Sequence, residues 1–110
     1  MTLYGMQEAN GDWFAIKESM RLRVPLFTSQ KDAMAARSFN VEMLVFKPVP
    51  IDERALKQFE HPPDKRPVCF WLVEEASRNM RRGVALDHEQ IALILSGAAD
   101  TAVGQGTNAE

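Results

Sequence analysis

Few side chains in this 110-residue chain have a type and spacing suited to chemistry: one cysteine, Cys69, two histidines, His61 and His88, and the adjacent carboxylates Asp52-Glu53 and Glu74-Glu75. A nucleophilic cysteine needs a base or a helix N-terminus to lower its pKa, and access to solvent. Lys65 and Arg66 lie close to Cys69 in sequence, but its nearest neighbours are Val68, Phe70, Trp71 and Leu72. A thiol in such a run acts as a small core residue. The histidines are far apart and differently flanked, and neither H-E-x-x-H nor C-x-x-C occurs. His88-Glu89 begins like half of a zinc motif, but the position four after His88 is Ala92. Neither a metal nor a cofactor is expected. Acid–base pairs need two carboxyls whose environments drive their pKa values apart. Asp52-Glu53 reads instead as a helix cap and Glu74-Glu75 as a solvated face. The six glycines form no phosphate loop, no G-x-S-x-G elbow is present, and no catalytic residue is assigned.

Arg78, Arg81 and Arg82 make the one basic cluster. If residues 67–83 are helical, they form a helix-turn-helix outline with the segment beginning at His88. A DNA reader presents polar and basic groups on its second helix. Here that helix is HEQIALILS, without Lys or Arg. DNA binding through this segment is therefore an alternative, not the main expectation. The arginines fit better at the end of their own helix or against an acidic partner.

The elements that must position these groups follow from periodicity and caps. LYGMQ, the turn dipeptide Asn10-Gly11 and DWFAIK suggest a hairpin, with Phe14 and Ile16 on one buried face and Trp13 over an edge. VPLFT is a strand whose Pro25 belongs at an edge or at the strand start. Ser29 and Asp32 have N-terminal cap spacing for a helix from about Gln30 to Phe39, with Ala33, Met34, Ala36 and Phe39 available to the core. EMLVFKPV reads as a central strand covered on both faces and ended by Pro48 and Pro50. The strand–helix–strand unit over 24–46 then predicts two parallel or neighbouring strands. Asp52 caps a short helix, Glu53 to Glu60, with Ala55, Leu56 and Phe59 inward. HPPDKRP, 61–67, is a loop.

PVCFWLVEEASRNMRRG, 67–83, is ambiguous. Pro67 suits a first helical turn, Glu74 and Arg78 are spaced as a helical pair, and Gly83 suits a left-handed stop. These signals favour a helix, and a strand over 68–73 is the rival. Trp71 and Phe46 are expected inside. Asp87, Gln90 and the Leu86–Ile91 staple begin a last apolar helix that ends near Gly97. Residues 98–110 are small and polar and read as a tail outside a single domain of 1–97.

The order of hairpin, LFTSQKDAM helix, proline-ended strand and acidic-start helix resembles, over about half the chain, small bacterial α+β modules such as the SseB-like group. No functional residue is carried over from that resemblance.

The expected fold is α+β: a small, mostly antiparallel sheet of three or four strands, helices on one face and a helical C-terminal part. The net charge of −2 argues against a nucleic-acid footprint. No apolar run approaches membrane-spanning length, and MTLYGMQEANGDW lacks the pattern of a signal peptide. A single cysteine suits the cytoplasm. The expected function is a non-catalytic protein-interaction or regulatory module that self-associates as a homodimer or meets a protein partner. Arg78, Arg81, Arg82, Ile91 and Leu95 would form its contact surface. A small enzyme built on Cys69 is a further alternative.

Overall fold

The computed structural model describes every residue except 63, 64, 76 and 98–110. The expectations for 98–110 therefore lie outside the described residues. The fold is α+β, and the described residues form three α-helices and two sheets of two and four strands.

The helices form where local cap chemistry dictates. α1 spans Gln30–Phe39, and Ser29 Oγ accepts the Asp32 amide at 3.1 Å. α2 spans Glu53–Glu60, and the Asp52 carboxylate accepts from the Ala55 amide at 2.9 Å. α3 spans His88–Ser96 and carries a complete capping box between Asp87 and Gln90, with Gly97 left-handed at φ 81°. Each cap satisfies an amide or carbonyl that the helix itself leaves unpaired.

The larger sheet runs β2 (Ile16–Lys17), β3 (Leu22–Leu26), β5 (Val68–Val73), β6 (Gly83–Leu86). Its central pairing, β3 with β5, is parallel, and its outer pairings are antiparallel. The smaller sheet pairs β1 (Tyr4–Gln7) antiparallel with β4 (Lys47–Pro50). The two sheets meet where Tyr4 and Phe27 exchange two backbone hydrogen bonds of 2.8 Å.

Helices α2 and α3 pack against each other, and α3 lies on β5. Their apolar stripes meet Val24, Leu26 and Phe70 of the sheet, giving a core that includes Leu3, Leu56, Phe59 and Ile91. Helix α1 instead packs on β1 and β4. There Ala33 and Ala36 let it lie close to a second core of Met6, Phe14, Phe27, Met43 and Val73. Trp71 and Phe46, expected inside, are half-buried at the border of this second core.

The structure corrects two expectations about secondary structure. Residues 68–73 form a strand, so the helix over 67–83 does not exist and the helix-turn-helix outline falls with it. Six consecutive β-prone and aromatic side chains outweigh the helical end signals once β3 and β6 are there to pair with. Gly83 opens β6 rather than closing a helix. A Cβ at Gly83 would sit 2.5 Å from the Leu72 carbonyl oxygen and 2.9 Å from the Trp71 indole, so this close approach requires glycine.

The second correction concerns EMLVFKPV. Residues Val41–Met43 wind into a 3₁₀ turn, and β4 begins only at Lys47. Pro48 and Pro50 stand within β4, and β4 pairs with β1 rather than with β3. The Ile51 amide donates to Leu3. By strand alternation the amides of Val49 and Lys47 also face β1, so both prolines point their missing donors outward. Pro25 follows the same logic inside β3. Leu22 donates to Pro67 on one side and Phe27 to Tyr4 on the other. Pro25 shares the parity of Phe27 and sits where β2 has already ended, so it interrupts no ladder.

Candidate functional site

Alternation along β3 and β5 puts Arg23, Cys69 and Trp71 on the sheet face turned away from α2 and α3. The Arg23 guanidinium lies 4.9 Å from the Trp71 ring centroid, a cation–π contact. Glu18 holds both Arg21, at 2.7 Å, and Arg23, at 2.6 Å, while Arg66 donates to the Glu18 carbonyl. The Arg21 hydrogen bond is the main reason that the Glu18 carboxyl titrates below its ordinary value. Cys69 stands mid-strand and half-buried, with Sγ 3.7 Å from the Phe70 carbonyl oxygen, so it has no helix N-terminus beside it. His88 meets Glu60 at 3.5 Å, and His61 caps the end of α2. Among the described residues no group of three His, Cys, Asp or Glu side chains could hold a metal ion. No described helix is long and apolar enough to cross a membrane.

The residues expected to form a contact surface are dispersed. Ile91 is fully buried in the first core and is unavailable to a partner, because its stripe faces the sheet. Leu95 is half-buried against the same core. Arg81 and Arg82 line an open depression of about 700 Å³ with Glu74, Glu75 and Val84, and Arg82 reaches Glu74 at 3.3 Å with both side chains exposed. A bridge this open contributes little to stability. Arg78 is exposed in the β5–β6 connection.

Arg78 is also the one of these residues that leads to a coherent surface. Asn40 Nδ2 donates to the Arg78 carbonyl at 3.1 Å and to the Ala36 carbonyl at 2.8 Å, tying the end of α1 to that connection. The end of α1 and the turn that follows display Phe39, Val41, Leu44 and Val45, which are 61%, 76%, 49% and 69% exposed. Met34 of α1 is exposed as well, so Met34 and Phe39 do not serve the core as expected. Between them only Met43 turns inward, and it is fully buried.

This turn is firmly held. The Met43, Leu44 and Phe46 amides donate to Asn40, Val41 and Met43 in succession. Arg37 of α1 donates from Nε and Nη2 to the Leu44 carbonyl at 3.1 and 2.6 Å. The guanidinium fork thus fixes the loop from beneath. A rigid backbone carrying several large apolar side chains into water loses about 1.5–3 kcal/mol for each side chain left unburied. Exposed patches of this kind mark contact surfaces. Apolar residues in one run read as a buried strand, so the sequence concealed the patch. The cue that could have revealed it was the proline pair after the run, which delays the strand to Lys47.

Compared with protein-family models, curated proteins and solved structures, the chain matches none of them. The layout resemblance to the SseB-like group gains no support from those comparisons.

Proposed function

We propose that this chain is a non-catalytic interaction module that self-associates through the apolar turn after α1. The observation that carries this is the outward display of Phe39, Val41, Leu44 and Val45 on a backbone already fixed by hydrogen bonds. A preordered surface loses little entropy on binding, which favours association.

A second copy is the occupant that suits the rim. Glu42, Lys47 and Arg78 are exposed around the patch and carry both signs. A two-fold arrangement would let an acid of one copy meet a base of the other. The outward prolines of β4 oppose strand-to-strand addition nearby, so contact runs through side chains. A cytoplasmic location, supported by the lone cysteine, belongs to the same reading.

Light scattering coupled to size exclusion tests it. The wild-type chain runs as a dimer, and the Val41→Asp/Val45→Asp variant runs as a monomer with an unchanged far-UV spectrum. A wild-type chain that stays monomeric at millimolar concentration overturns the reading, and so does a dimer that the double variant leaves intact.

A further inference from the structure

On the side of the molecule served by α2, the sheet ends in β2, a strand of only two residues. Beyond that short edge lies an open groove of about 990 Å³ between β2, the 8–13 hairpin and α2. Pockets of this size are within the range that holds small organic ligands.

One wall of the groove is polar and carries cations. Arg54, Lys57 and Gln58 line it from one stripe of α2, at i, i+3 and i+4, and His61 extends that wall from the cap of the helix. Lys17 of β2 adds a further cation. Among the described residues Lys17, Arg54 and Lys57 take part in no salt bridge, whereas Glu60 of the same helix is engaged by His88. The base of the groove is apolar, with Phe59, Val68, Leu22 and Val24.

Trp13 braces the arrangement. Its indole N–H donates to Gln58 Oε1 at 2.8 Å, and its ring lies 5.5 Å from the Phe59 ring at an angle of 48°. Among the described residues the acids of the groove are Glu8 and Asp12 of the hairpin, where Asp12 accepts from Asn10 Nδ2 at 3.1 Å. The positive charge therefore belongs to α2 and β2, with apolar and aromatic surface beside it.

We infer that this groove binds an amphipathic organic anion, its carboxylate held by Lys57, Arg54 and Lys17 and its apolar body lying on Phe59, Trp13 and Val68. An apolar body alone would bind without regard to head charge. A carboxylate alone would leave the aromatic base unused. The pairing of the two surfaces selects molecules that carry both features.

The test uses the full chain labelled with 5-fluorotryptophan, whose two fluorine resonances are assigned with the Trp71→Phe variant. Decanoate, titrated below its micellar concentration, shifts the Trp13 resonance and leaves that of Trp71 in place. Decyltrimethylammonium, with the same tail and the opposite head, binds at least tenfold more weakly. The Arg54→Glu/Lys57→Glu variant, altered only at exposed positions, weakens decanoate by a similar factor, whereas Val41→Asp/Val45→Asp leaves it unchanged. An unmoved Trp13 resonance overturns the inference. So does equal binding of the two amphiphiles, or decanoate binding that survives the charge reversal. Arg54→Gln/Lys57→Gln, which keeps the helix neutral at both positions, must show an intermediate loss, and wild-type affinity in that variant also overturns it.

Discussion

Two apolar runs in this molecule meet opposite fates. Met43-Leu44-Val45-Phe46 and Val68–Val73 are alike in composition, and either could serve as a buried strand. The second becomes β5, paired on both sides, with Phe70 and Val73 buried. The first becomes a turn that holds only Met43 inside and leaves Leu44 and Val45 in water. Side-chain hydrophobicity does not distinguish the two. Backbone pairing does: β3 and β6 offer amides and carbonyls to one run, while the other is drawn into a turn by Asn40 and Arg37, and pairing to β1 starts only at Lys47. A strand forms where its hydrogen bonds can be completed, and apolar character then decides how much that is worth.

Substitutions in the two runs sharpen this contrast. Phe70→Ala removes a fully buried ring from the first core, where it packs edge-on to Phe59 at 5.2 Å. A loss of about 3–5 kcal/mol is expected in denaturant melts. A loss below about 1 kcal/mol would mean that β5 is not the centre of the sheet. Gly83→Ala strikes the same region through its backbone, because the new methyl meets the Leu72 carbonyl and Trp71. It costs about 1–3 kcal/mol by thermal or chemical unfolding. Leu44→Ser, in the exposed run, changes stability by no more than about 0.5 kcal/mol. A large loss there would show that the run is buried after all and remove the contrast.

The sequence disclosed the helices almost residue by residue. Ser29 with Asp32, Asp52 with Ala55 and Asp87 with Gln90 are contacts made within one turn, so the neighbouring residues carry all the information needed. The strands were less legible because a ladder needs a partner that lies elsewhere. Nothing near Val68 announces that Leu22 will pair with it. The helical features assigned to 67–83 were real features put to other uses. Glu74 reaches Arg82 rather than Arg78, and Gly83 admits Trp71. The apolar turn was hidden for the same reason as β5. The cations of α2 were not legible as a site either: Arg54 and Lys57 stand one turn apart, but only the short reach of β2 gives them a groove to line.

The parallel pairing of β3 with β5 has a consequence for how the chain reaches its native state. Leu22–Leu26 must wait for Val68–Leu72, 46 residues downstream, before the middle of the sheet can close. Between them only α1 and α2 can organise from local caps, because the smaller sheet joins Tyr4 to Pro50 and is as non-local as the larger one. Non-local closure of this kind slows folding. During synthesis β3 emerges from the ribosome before its partner β5, so that side of β3 stays unpaired until β5 has followed it out.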